Sequence, residues 1–275
     1  MVLANCMKMR MTMIQRIEVS ITDRCNLNCA YCSHYASLCK DTKDISLQSF
    51  IDDIQRLGFI TLRGKELGTL GILGGEPFLN KDLLDMCVIA REELPYSRVR
   101  ITTNGTRLLD LTGQQLGILR RNDIEILISK YLHDTSFYNE IERVLNEYHI
   151  IYKYTQGGNI TIFSKFCMDE TGSQSPVTSH DNCTLCKGTY TCHELRNGYI
   201  YPCSQIVRAD VLNKHFGTNF KITDKDRISI NYSRSEIESF LKDNIPDFCR
   251  YCKTKEWNKL IGTYIRSKDV KEEYI

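Results

Sequence analysis

Apolar positions recur with two alternating periods along the first 165 residues of the chain. In residues 16–22 they fall at Ile17, Val19 and Ile21, the two-residue period of a strand with one buried face. Residues 46–57 set Leu47, Phe50, Ile51, Ile54 and Leu57 on one helical stripe, with Ser46 as N-cap and Gly58 as a C-terminal signal. A strand at 67–73, a helix at 81–94 closed by Pro95 and a strand at 98–102 follow. Helices are then predicted at 108–120, interrupted by Gly113 and Gly117, and at 137–148. Strands are predicted at 125–129, at 150–155 and, after Gly157-Gly158, at 159–163. This is β/α alternation with about six units, an α/β class.

After Phe166 the alternation stops. Residues 168–178 are rich in Gly, Ser, Thr and Pro and read as a linker. Residues 190–201 read as a hairpin turning at Asn197-Gly198. Ser235-x-x-Glu238 predicts a capped short helix, and Trp257, Leu260 and Tyr264 predict a helix packed back on the core. The last ten residues are charged and predicted to be loose.

Composition narrows the class. The 275 residues suffice for one large domain, or one domain and a small appendage. Hydrophobic content of 42% and charged content of 25% are those of an ordinary globular chain. A net charge of +2 points to no nucleic acid or other polyanionic partner. No eighteen-residue apolar window calls for a membrane. The N-terminus holds five of the seven methionines but lacks the apolar core of a signal peptide, so the expected location is cytoplasmic.

Thirteen cysteines are the unusual feature, and they cluster. Cys25-x3-Cys29-x2-Cys32 follows the first strand. Three thiolates this close can hold three irons of a cubane [4Fe–4S] cluster and leave the fourth iron open to a ligand. The spacing, with Tyr31 before the third cysteine, resembles the signature of the radical S-adenosylmethionine (SAM) enzymes. Gly74-Gly75-Glu76-Pro77 resembles the GGE motif of that family, and Thr102-Thr103-Asn104-Gly105 its TNG turn. A zinc knuckle completed by His34 or Cys39 is the alternative for the cysteines alone.

The resemblance covers about residues 15–165 and implies a partial (β/α)6 TIM-like barrel with its site at the carboxyl ends of the strands. It implies that Gly74, Gly75 and Glu76 contact the amino group of the SAM methionine. Tyr31, Thr102, Asn104 and Ser129 are the further SAM-side candidates, Ser129 against the ribose. Lys130-Tyr131 stands where many relatives have Asp-Gly. Arg24 either screens the cluster or is solvated.

The tail cysteines Cys186, Cys203, Cys249 and Cys252 resemble the ligands of an auxiliary [4Fe–4S] cluster in a twitch domain, the smaller relative of the SPASM extension. Cys183 and Cys192 are alternative ligands, and Cys192 is also a candidate hydrogen-atom donor. A structural zinc site is the other reading of the tail. Cys87, among Leu83, Leu84 and Ile89, reads as a buried hydrophobe. The expected division is an arm at 1–14, the barrel at 15–166, a linker at 167–182, a hairpin-plus-helix auxiliary domain at 183–265 and a tail at 266–275.

The implied activity is reductive cleavage of SAM to a 5′-deoxyadenosyl radical that abstracts a hydrogen atom from a substrate carbon. An auxiliary cluster favours net oxidation, and redox-neutral epimerisation is the alternative. A non-catalytic iron–sulfur or zinc protein is the reading from another class, and it would have no use for Glu76. The expected substrate is a sugar- or cyclitol-like small molecule, or a peptide brought by a separate leader-binding partner, since a barrel that starts near residue 15 leaves no room for a leader-binding domain. A flavodoxin- or ferredoxin-type protein is the expected electron donor.

Overall fold

The computed structural model describes residues 14–132, 134–155, 162–183, 193–261 and 265–275. Strands β1 (Ile14–Ser20), β2 (Leu67–Leu73), β3 (Arg98–Thr103), β4 (Glu125–Ile128) and β5 (Tyr152–Tyr154) alternate with helices α1 (Leu47–Ile60), α2 (Leu83–Glu93), α3 (Gly113–Arg121) and α4 (Thr135–Glu147). The tail contributes β6 (Ile162–Lys165), α5 (Pro176–Asn182), β7 (His193–Arg196), β8 (Tyr199–Tyr201), α6 (Ser204–Val207), α7 (Ala209–Phe216), β9 (Ile228–Ser229), α8 (Arg234–Asp243) and β10 (Asn258–Ile261).

The main sheet has the order β5-β4-β3-β2-β1-β7-β8-β9. Strands β1 to β5 are parallel neighbours. The strand expected as the sixth of the barrel is β6, but it pairs antiparallel with β10 in a separate two-stranded sheet. The sixth parallel strand is β7, which joins β1 from the opposite side with Glu18 beside Glu194. The sheet stays open, a partial barrel.

Strands β1 to β4 have two unlike faces. Ile17, Val19, Leu70, Ile72, Val99, Ile101 and Ile126 are fully buried under the helices, which is where the apolar period comes from. The other face is polar. Register sets Glu194, Glu18, Gly71, Arg100 and Glu125 in one row across five strands. Parallel sheets are usually apolar on both faces; here the concave face is built to meet something polar.

Helix α1 starts at Ser46, whose hydroxyl accepts from the Ser49 N–H at 3.1 Å. Gly58 lies inside the helix rather than ending it, and a Cβ there would stand 3.0 Å from the Glu93 carbonyl of α2. Gly113 likewise opens α3, after the Thr112–Gln115 capping box. The hairpin turns at Asn197 and Gly198, with φ of 51° and 77°, as a two-residue loop of this handedness requires. The capping box of α8 is Ser233–Glu236, two residues before the expected one. Trp257 precedes a strand, β10, not a helix, and packs edge-on against Phe166 at 4.8 Å. The segment expected to be linker contains α5 and an Asp169-centred turn.

The last residues are not loose. Arg266 bridges to Cys29, the Ala30 N–H donates to the Ile265 carbonyl at 2.8 Å, and Tyr274 is 1% exposed. The chain end lies along the cysteine loop.

Candidate active site

The cysteine loop leaves the carboxyl end of β1, and the turn after β2 runs beside it. The Gly75 N–H donates to the Thr22 carbonyl at 2.8 Å, and the Glu76 N–H to the Arg24 carbonyl at 2.7 Å. A Cβ on Gly74 would stand 2.5 Å from the Thr22 carbonyl, and one on Gly75 would collide with that of Arg24. The glycines are therefore required by the approach of two backbone segments.

Glu76 faces away from ligand space. It is fully buried; one carboxylate oxygen accepts from the Thr103 hydroxyl at 2.7 Å and the other from the Asn104 N–H at 2.9 Å. The Phe78 N–H adds a third bond at 3.2 Å. Burial pushes this carboxyl up, against the pull of those bonds. The residue expected to touch the SAM amine instead pins the turn after β2 to the turn after β3. Asn104 extends the tie, its amide donating to Asn26 in the cysteine loop at 3.0 Å.

Cys25, Cys29 and Cys32 line one cavity of about 320 Å³. Gly74, Gly75, Thr102, Asn104 and Ser129 lie on its wall. So does Tyr31, held at a φ of 60°. Tyr131 lines it too, with its phenol bonded to Ser129. Lys130 turns away, its ammonium 3.9 Å from the centre of the Tyr154 ring. Arg24 pairs with Asp44 at 2.5 Å and is an anchor of the loop.

Burial pushes the Cys25 thiol up to about 12 and Cys29 higher still, with repulsion among the three cysteines adding to both. Three thiolates here are stable only with a cationic group among them. That donor set would suit a cubane cluster with one iron left without a protein ligand. Of the two residues that would complete a zinc knuckle, the Cys39 thiol donates to the Tyr35 carbonyl, whereas His34 lines the same cavity, its Nδ1 3.2 Å from the Ser33 hydroxyl and its Nε2 buried without a partner among the described residues. Among the described residues no group of three or more His, Cys, Asp or Glu is arranged around a single metal ion.

A second, apolar cavity of about 20 Å³ lies in the tail. Cys183, Cys203, Cys249 and Cys252 line it, with Phe248 and Trp257. Burial pushes the Cys249 thiol up to about 12 and Cys252 well up, with Cys183 adding to both. Cys186 and Cys192 lie outside the described residues. Cys183, the alternative to Cys186, is the cysteine that lines this cavity with the other three. It sits where α5 ends, its N–H donating to the His180 carbonyl at 3.1 Å. Cys203 lines both cavities. Cys87 is fully buried in the barrel core.

Sequence reasoning passed over the floor of the larger cavity. Arg16 and Glu18 form an ion pair there, lying over the missing side chain of Gly71. The signal was present: polar residues alternating with Ile17 and Val19 in a parallel strand mark a wet inner face.

The model of the Radical SAM superfamily matches residues 19–129. A GTP 3′,8-cyclase of Pectobacterium atrosepticum is 35% identical over 94 residues, 34% of this chain and 27% of that protein. A probable GTP 3′,8-cyclase of Archaeoglobus fulgidus is 30% identical over 139 residues, 48% of this chain and 43% of that protein. The matches thus span between about a quarter and a half of these relatives. The crystal structure of BtrN in complex with AdoMet and 2-DOIA superposes with a TM-score of 0.51 at 18% identity, covering 94% of this chain and 98% of BtrN. That likeness concerns the fold. Residues 19–129, which carry the cysteine loop, the Gly74–Glu76 turn and the Asn104 turn, form a radical SAM domain.

Proposed function

We propose that this chain is a radical SAM enzyme that holds a second iron–sulfur cluster in its tail and oxidises an uncharged, hydroxyl-bearing small molecule. The observation that carries the reading is Cys203, which lines both the SAM-side cavity and the tail cavity. A tail site for structure alone has no need to share a wall with the space where substrate sits.

When bound, SAM and the two clusters would supply a hydrogen-abstracting radical and a one-electron acceptor. The chain's own part is to hold and to exclude. Cys25, Cys29 and Cys32 hold the first cluster, with Ser129 and Tyr131 on the wall beside it. Cys183, Cys203, Cys249 and Cys252 would hold the second, with Cys186 as the competing ligand. Net oxidation of a carbinol removes a hydrogen atom from carbon, a proton from oxygen and one electron. Glu18, on the floor of that cavity, is the carboxylate placed for the proton.

The polar floor argues for the substrate class. Among the described residues Arg16 is the one Lys or Arg lining the cavity, and Glu18 already neutralises it. A triphosphate such as that of GTP calls for several cationic donors. A neutral sugar- or cyclitol-like molecule is matched by the Arg–Glu pair, donor beside acceptor. A flavodoxin- or ferredoxin-type donor in a reducing cytoplasm would supply the electrons.

Iron, labile sulfide and zinc in the anaerobically reconstituted chain test this reading, wild type beside the Cys25/Cys29/Cys32→Ala triple variant. The expected result is about eight irons falling to about four. About four irons with one zinc that survives the substitutions would make the tail structural and remove the oxidation.

A further inference from the structure

Tyr35 and Gln205 lie between the two cysteine sites and line neither cavity. Tyr35 follows Cys32 by three residues and has a φ of 51°. An aromatic residue in the left-handed region is disfavoured, and surrounding structure must hold it there. The Tyr35 N–H donates to the Cys32 carbonyl at 2.9 Å. This turn sends the ring inward, where it is 1% exposed and stacks edge-on against Tyr274 at 5.3 Å. Its hydroxyl donates to the Gln205 side-chain carbonyl.

Gln205 is also 1% exposed, and it stands two residues after Cys203. Its amide nitrogen donates to the Ser33 carbonyl at 3.0 Å. Both ends of this buried amide are therefore spent on the loop that carries Cys32. A bonded route runs from Cys32 through Tyr35 and Gln205 to Cys203.

We infer that the Tyr35–Gln205 contact is the bridge that sets the spacing of the two cysteine sites and carries an electron between the clusters they hold. This rests on the two-cluster reading above. With both clusters bound, the exchange would move one electron from one to the other and no proton, so it would balance without a further reagent. Tyr35 and Gln205 are positioning residues, since neither reaches ligand space.

The test uses the full reconstituted chain as wild type, Tyr35→Phe and Gln205→Glu. An electron is injected by flash photoreduction of a deazaflavin, and its distribution between the clusters is followed by freeze-quench EPR; added SAM marks the signal of the cluster that binds it. In Tyr35→Phe, iron is expected to stay at about eight while redistribution slows about tenfold, the low end of what outer-shell partners contribute. Gln205→Glu still accepts from Tyr35 but loses the donor to the Ser33 carbonyl, and is expected to slow redistribution as well. Equal rates in wild type and Tyr35→Phe, with both signals intact, would overturn the bridge alone. Loss of iron from both variants would also overturn it, by making the contact purely architectural. Four irons in the wild type would instead remove the two-cluster reading itself.

Discussion

The two cysteine sites are built from opposite materials. The loop after β1 opens onto a cavity of about 320 Å³ walled by Gly, Thr, Asn, Ser and Tyr, with a charged pair on its floor. The tail quartet surrounds about 20 Å³ walled by Ile206, Pro246, Phe248 and Trp257. Space beside a metal centre admits a ligand. Apolar packing up to the thiols leaves no room for a ligand, so a cluster bound there would be left with electron transfer and a zinc ion with a structural role. Backbone hydrogen bonds hold both: three turns meet at the open site, and at the closed one the Cys249–Cys252 turn bridges to Met168 and accepts from the Ser179 hydroxyl at 2.9 Å.

Single cysteines give the largest break in this comparison. Cys29→Ala is expected to take SAM cleavage below detection while the tail keeps about four irons. Full 5′-deoxyadenosine formation in that variant would mean the open site is elsewhere. Cys203→Ala should do the converse, sparing cleavage more than product formation. Normal product yield without that thiol would show that the closed site accepts no electron.

Gly75→Ala is the next in size. The added methyl must push the Arg24 carbonyl away from the turn after β2, so the three-cysteine loop shifts and the tail does not. The expected cost is about 2 kcal/mol in unfolding free energy, with iron lost from the open site only. Denaturant melts and iron counts check it; a fully loaded, equally stable variant would show that the backbone contact is dispensable.

Asp53 should give the smallest effect, at the seam between barrel and hairpin. Its carboxylate accepts from the Gly198 N–H at 2.9 Å, and burial pushes it up to about 6. A carboxyl raised on folding favours the folded state below its unfolded value near 4, and this contribution is lost as pH rises through about 6. Asp53→Asn keeps an acceptor and removes the buried charge. It is expected to stabilise the protein by about 1 kcal/mol at pH 8 and by nothing at pH 4. A pH-independent difference in melting temperature would count against the buried charge.

Much of the barrel was legible because its signals are local. The strands at 67–73, 98–102 and 125–129 lie where two-residue alternation puts them, within a residue of β2, β3 and β4. Helix caps were less legible where two boxes overlap: Ser233–Glu236 and Ser235–Glu238 satisfy the same pattern, and the first is used. The sixth strand was misassigned because period two marks a strand without naming its neighbour.

The sequence by itself determined the chemistry within reach of a single turn: three cysteines at x3 and x2 spacing, two glycines before a glutamate, an Asn-Gly hairpin. Such features depend on residues a few positions apart, and their geometry is set by the backbone dihedrals alone. Only the tertiary structure decided what meets across distance. It brought Cys183 to Cys203, Cys249 and Cys252, laid the chain end along Cys29, set β7 rather than β6 beside β1, and turned Glu76 inward. Each of these depends on which distant segments bury surface against one another. That choice is made by summed packing over the whole chain, and no short window of residues contains it.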